Sequence, residues 1–153
     1  MTRFIFYLCV LLTSVVFAQE DENAKVKATI DTFFEGFHKG DTILMKSVMM
    51  DKMLLQTTYT TKEGNHVLVS EESSKLISAI TNRPSDQKWD ERLLNYNIQV
   101  DGLMAHVWTP YEFWLNDEFS HCGVNSFQLF NDNGQWKIIY LIDTRRKQGC
   151  NQP

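Results

Sequence analysis

From Asn23 to Lys39 the apolar residues Val26, Ile30, Phe33, Phe34 and Phe37 recur three and four apart, the spacing that lines one face of an α-helix, and Gly40 supplies the stop. Asp41 can cap a short second helix carrying Ile43, Leu44, Val48 and Met49. A strand is predicted at about Met53 to Thr61, closed by the turn Lys62-Glu63-Gly64-Asn65. Ser70 followed by Glu71 and Glu72 reads as the start of a third helix, with Leu76, Ile77 and Ile80 on its buried side and Asn82-Arg83-Pro84 as its stop. Thereafter the period falls to two. Asp90 to Val100 alternates, with Leu94, Tyr96, Ile98 and Val100 on one side and Asn95, Asn97 and Gln99 on the other.

Three hairpin signals follow: two residues at Asp101-Gly102, three at Asn116-Asp117-Glu118, and four at Asn131-Asp132-Asn133-Gly134. They predict a meander of four strands whose register fixes an inward face. Val100 and Leu103 begin it, and Ala105, Val107, Thr109, Tyr111 and Phe113 continue it. His121, Gly123, Asn125, Phe127 and Leu129 belong to the next strand. Trp136, Ile138, Tyr140, Ile142 and Thr144 complete it. One end of this face is apolar and the other carries Thr109, Tyr111, His121, Asn125 and Tyr140. The Phe-rich first helix is the natural cover, and polar groups at the end of an apolar hollow are the usual make-up of a small-molecule site. The bland alternative is that they are satisfied groups at a solvent-exposed rim.

The opposite face holds Trp108, Trp114, Ile139 and Leu141 among polar residues, too apolar to be left wholly to water, so a homodimer contact is expected there. His106, Glu112 and Asp143 fall on this side too. Pro110 cannot donate to a ladder and raises the alternative of a bulge that turns Tyr111 and Phe113 outward.

Met1 to Ala18 has the form of a cleaved export signal: Arg3, an apolar stretch from Phe4 to Leu12, and Val16-Phe17-Ala18 before Gln19. A secreted or periplasmic domain at 19–144 and a tail at 145–153 are therefore expected, with no stable membrane anchor after cleavage. The chain carries 15 basic and 19 acidic residues, and loss of the leader removes one base and no acid. That balance argues against nucleic acid as a partner, and the one basic cluster, Arg145-Arg146-Lys147, reads as a solvated end. Cys122 and Cys150 remain after cleavage, an even count that permits a disulfide. The predicted register sets Cys122 opposite Asp143, so Cys150 would have to fold back, helped by Gly149. Two free thiols is the reading that this distance favours, and a bridge is the alternative. Histidines at 38, 66, 106 and 121 have no metal-ligand spacing, and no cofactor motif occurs.

Phe33-Phe34-x-x-Phe37-His38-x-Gly40-Asp41, Trp108-x-Pro110-Tyr111-x-Phe113, His121-Cys122-Gly123-Val124-Asn125-x-Phe127 and Gly134-x-Trp136-Lys137-Ile138 together resemble the nuclear-transport-factor-like superfamily. Within it, the chain is similar to exported bacterial proteins called lumazine-binding. The resemblance implies an α+β fold: a cone-shaped half-barrel of curved antiparallel sheet wrapped around the N-terminal helix, with two further short helices, a pocket between sheet and helix, and dimers through the sheet. Its members include isomerases, dehydratases and cyclases beside binding proteins without activity, so the fold leaves function open.

The expected function is a non-catalytic binder of a small planar or aromatic molecule, held by Phe37, Thr109, Tyr111 and Tyr140 and oriented by His121 and Asn125. A cofactor-free lyase or isomerase is the alternative, with His121 and Tyr111, and His38 from the first helix, moving a proton. An isomerase would also need a carboxylate base, and the inward face has none unless a bulge turns Glu112 or Asp143 inside. The third reading is a protein-interaction module acting through the sheet face.

Overall fold

The structure, a computed structural model, describes residues 22–150; the predicted leader lies outside them. Residues 22–39 form helix α1, followed by α2 (Thr42–Ser47), β1 (Met49–Thr60), β2 (His66–Glu72), α3 (Ser73–Thr81), β3 (Trp89–Leu93), β4 (Asn97–Asp101), β5 (Met104–Leu115), β6 (Glu118–Asp132) and β7 (Gln135–Arg145). The strands form one curved sheet in the order β2-β1-β7-β6-β5-β3, with β4 sharing the β5 edge with β3. This is the expected α+β architecture.

The predicted stripe of α1 is its buried side: Val26, Ile30, Phe33, Phe34 and Phe37 pack against Ala105, Val107, Phe127, Leu129 and Ile138 of the sheet. The Arg83 guanidinium finishes the helix, donating to the Phe37 and His38 carbonyls at 3.2 and 3.1 Å, groups that no further turn of helix would satisfy. Asp41 caps α2 as expected, accepting from the Ile43 and Leu44 amides. That helix buries Met45 and leaves Ile43 exposed.

Two elements differ from the sequence reading. Residues 66–72, whose Ser70-Glu71-Glu72 suggests a helix start, are strand β2, paired with β1 from His66–Thr60 to Glu72–Leu54. Alternating Val67 and Val69 and a seven-position ladder outweigh the local helix signal, and α3 begins at Ser73. The sheet is also not wholly antiparallel, because β1 runs parallel to β7.

All three meander turns are two residues long: Gly102-Leu103, Asn116-Asp117 and Asn133-Gly134. The last two put φ at 53° and 64°, and at 53° and 89°, as their tight hairpins require. Between β5 and β6 an extra residue, Ser120, restores the expected register, so that Phe113 faces His121 and Thr109 faces Asn125. Between β6 and β7 nothing restores it. Asp132 pairs with Gln135, and Ile139 is then an extra residue, so that Asp143 faces Asn125.

That slide explains the tail. Arg146, not Asp143, stands opposite Cys122, and four residues on Cys150 reaches it in a disulfide with Cα atoms 5.9 Å apart. The free-thiol reading is thereby corrected. Arg145 closes β7 and pairs with Asp143, and the side chains of Arg145, Arg146 and Lys147 are all exposed, as a solvated end requires.

Candidate functional site

Alternation along a strand reverses wherever one extra residue is inserted, and apart from Ser120, which keeps the predicted face, it reverses twice here, each time carrying a carboxylate inward. The first reversal lies on the β3–β4 edge. Leu93 pairs with Tyr111 and Asn97 with Trp108, so three residues, 94–96, stand across from Thr109 and Pro110. Pro110 is the cause: its carbonyl accepts from the Leu94 amide at 2.9 Å, and the N–H it lacks points to the same edge, where the ladder breaks. Inside the break the odd positions Trp89, Glu91 and Leu93 face the core side, and Leu94, expected inward, is 52% exposed. The disruption stays on the edge strand. Thr109 and Tyr111 remain inward at 0% and 1% exposure, so the outward alternative for Tyr111 is overturned.

The second reversal is the Ile139 bulge. Leu141 then pairs with Phe127 and is buried in the core, which removes it from the expected dimer face. Asp143, expected outside, is buried beside Asn125. Tyr140, expected in the pocket, instead lies on the outer side with Leu54, its hydroxyl bonded to Gln56.

The interior therefore holds a polar network at one end of the core. Asn125 donates to the Glu91 carboxylate at 2.7 Å. Thr57 donates to Asp143 Oδ1 at 2.5 Å, and Arg145 Nε to Oδ2 at 2.8 Å. The Tyr111 hydroxyl lies 3.2 Å from Asp143 Oδ2 and 3.0 Å from the Thr144 carbonyl, sharing one proton between two acceptors. Gly123 makes room for this: a Cβ there would sit 1.7 Å from the Thr144 carbonyl oxygen. His38 places Nε2 3.0 Å from both the Glu91 amide and carbonyl.

Around the network stand rings. Phe37 lies 5.8 Å from Trp89 and 6.4 Å from Phe113, and the His121 ring is 5.0 Å from Phe113 and 5.8 Å from Tyr111. Thr109, Tyr111 and Asn125 are fully enclosed, whereas Trp89, Glu91, Phe113 and His121 are half-buried and form the accessible side. Five of the six expected ligand residues thus converge, Phe37, Thr109, Tyr111, His121 and Asn125. Sequence reasoning missed Glu91 and Trp89, and set Asp143 outside unless a bulge turned it inward. Pro110 was the available signal for the first; nothing in the sequence announces the Ile139 bulge.

Burial pushes the Glu91 carboxyl up from 4.5 to about 7, with Asn125 opposing and Asp143 adding to the effect. Burial, with the Arg145 charge behind it, lowers His121 to about 4, so its imidazole is neutral at physiological pH. His38 is lowered as well, again by burial first. Burial and then Asp143 raise Tyr111, keeping it a phenol donor. A carboxyl poised near neutrality beside a neutral imidazole and a phenol can donate, accept or exchange a proton without a cofactor.

On the expected contact face, Trp108 and Ile139 are exposed at 48% and 39%, while Trp114 is half-buried under the Arg92 guanidinium, 4.3 Å from its ring. A separate shallow groove of about 480 Å³ lies at the β1–β2–β7 edge, lined by Tyr59, His66, Leu68, Arg145 and Arg146 among others.

Solved structures of low identity share this fold. An NTF2-like protein of unknown function from Shewanella baltica OS155 is 14% identical over 84% of this chain and 96% of its own, with a TM-score of 0.59. A protein from Streptomyces avermitilis described as a "putative dehydratase" of the NTF2-like family is 11% identical over 84% and 99%, TM-score 0.65. The β subunit of a "putative aromatic-ring-hydroxylating dioxygenase" from Novosphingobium aromaticivorans DSM 12444 is 10% identical over 85% and 92%, TM-score 0.67. At such identities the likeness concerns the fold alone. No curated protein matches the chain. The family model described as "Putative lumazine-binding" matches residues 21–140, nearly all of the sheet and the helix it wraps, and the chain belongs to that family, with the nuclear-transport-factor-like fold.

Proposed function

We propose that this chain is an exported protein that binds a small planar or aromatic molecule, its polar edge at Glu91 and Asn125 and its flat face among Phe37, Trp89, Phe113 and His121. The observation that carries the reading is the Asn125–Glu91 pair, 2.7 Å apart, in which enclosed Asn125 holds half-buried Glu91 at the accessible side of an aromatic wall. Arg145 is already matched by Asp143, so a neutral ligand suits the site better than an anion. The family's description supplies lumazine, a flat heterocycle with donor and acceptor edges, as a first probe. The leader-like N-terminus and the Cys122–Cys150 disulfide support export to an oxidising compartment.

Screening planar heterocycles by thermal shift should find a compound that raises the melting temperature by roughly 10 °C at about a hundredfold over its Kd, and Asn125→Leu should erase that rise while leaving the unliganded protein folded. Absence of any such compound would count against the ligand site.

A cofactor-independent lyase or isomerase is the second reading, favoured by one observation: Glu91, at about 7, is the carboxylate base that the sequence alone could not supply. Incubating each binding compound with the protein separates the two. Recovery of the compound unchanged supports a binder, and a product whose formation is lost in Glu91→Gln supports an enzyme.

The outer face is the proposed contact of a homodimer, with Met104, Trp108, Phe130 and Ile139 exposed on adjacent strands. Trp108→Glu should convert a sedimenting dimer to a monomer; an unchanged sedimentation coefficient would remove this face from consideration.

A further inference from the structure

We propose that the Cys122–Cys150 disulfide is a redox latch on the polar end of the site: closed, it pins the end of β7 over Gly123 and holds Arg145 against Asp143, and opened by a dithiol reductant it releases both. The consequence for ligand binding rests on the site reading above; the movement itself does not.

The geometry is that of a clasp on one strand end. Cys122 lies on the outer side of β6, between His121 and Gly123, which face inward. Beyond β7, Arg146 exchanges two backbone hydrogen bonds with Cys122, at 3.0 and 2.9 Å, as an isolated bridge. The chain then bends through Lys147, Gln148 and Gly149, the last at φ 65°, and returns to bond Cys150 to Cys122. Immediately before this clasp stand the groups that complete the polar network, the Thr144 carbonyl that accepts from Tyr111 and the Arg145 guanidinium on Asp143. Among the described residues, side-chain bonds past Arg146 are few and long, such as Arg146 Nη2 to the Gly149 carbonyl at 3.4 Å. The covalent link therefore does most to fix the tail.

Reduction has an obvious point of entry. Cys122 is 3% exposed, while Cys150 is only partly buried, so an incoming thiolate reaches Cys150 Sγ first. Its attack forms a mixed disulfide with Cys150 and expels the Cys122 thiolate, which takes a proton. The second thiol of the reductant attacks the reductant's own sulfur, closing a cyclic disulfide and releasing the Cys150 thiolate to be protonated. The protein gains two electrons and two protons, and the dithiol loses them.

The test compares oxidised protein, protein reduced with dithiothreitol, and Cys150→Ser by NMR. In both open forms the Cys122 and Arg146 amides should exchange with solvent at least tenfold faster, while amides of β5 and the centre of β6 keep their protection. The His121 midpoint should climb from about 4 toward 6.5, because the burial and the Arg145 charge that lower it are both relieved. Unchanged exchange and titration would overturn the latch. So would loss of protection across the whole sheet, which would make the bond a staple of the entire fold. A third measurement separates this inference from the ligand reading: lumazine should bind the reduced form several-fold more weakly. Equal binding by both forms overturns the latch and leaves the site. Binding by neither, with His121 moved, overturns lumazine as ligand and leaves the latch as a local device.

Discussion

Gly123→Ala is expected to destabilise the protein by at least about 3 kcal/mol, enough to lower its urea midpoint severely or to prevent folding. The reason is space, not backbone conformation. An added Cβ would lie 1.7 Å from the Thr144 carbonyl oxygen and 2.8 Å from the Tyr111 ring, and the nearer obstacle is backbone that cannot rotate aside. Relief requires β7 to lift from β6 at Thr144, which takes away the acceptor of the Tyr111 hydroxyl and draws Arg145 off Asp143. Gly64→Ala is the contrast: it has nothing within 4 Å of its added Cβ and a φ of 86°, so it should cost only about 1 kcal/mol of left-handed backbone. Similar losses for the two variants, measured by urea unfolding, would mean that β7 does not press on β6 here.

The same contact shows where the sequence was legible and where it was not. The stripe on α1 and the inward run Ala105, Val107, Thr109, Tyr111 and Phe113 follow from periodicity alone, because each burial choice is repeated many times along one element, and the cap at Asp41 follows from its side chain. The β5–β6 register from Phe113 to Met104 was legible even though its turn was misjudged by one residue, since Ser120 absorbs the difference. A bulge is a single event with no repetition to reveal it. Ile139 moves Leu141 and Asp143 inward and Tyr140 outward, yet Ile-Ile-Tyr-Leu-Ile alternates no better one way than the other. The parallel β1–β7 pairing joins segments far apart in sequence, which no local pattern encodes. Most rings of the site were therefore readable, Trp89 and the misplaced Tyr140 excepted, and its carboxylates were not. Pro110 sits between these cases: its missing donor had to be accommodated, but that the neighbouring strand would break and not its own is a matter of which edge its amide faces.

Replacing Glu91 by glutamine is expected to stabilise the protein by on the order of 2–3 kcal/mol at pH 8 and hardly at all at pH 4. Below pH 4.5 the carboxyl is protonated in both the folded and unfolded chain, and it imposes no pH dependence. As pH rises past 4.5 the unfolded chain ionises while the folded protein still holds its proton, so stability is lost progressively until the folded group ionises at about 7. At about 1.4 kcal/mol per pH unit this interval corresponds to about 3 kcal/mol, trimmed by the partial exposure of the residue. Glutamine cannot ionise, and its amide oxygen still accepts from Asn125, so the variant escapes the loss without leaving that side chain unpaired. Comparing variant with parent by urea unfolding at the two pH values removes the contributions of His38 and His121, which both proteins share. Parallel stability profiles would show a solvated carboxylate. A gap that opens between pH 4.5 and 7 would show an acid kept partly protonated at neutrality, where it can donate to a ligand's acceptor or take a ligand's proton, and its retention at that cost to folding would point to use of the group.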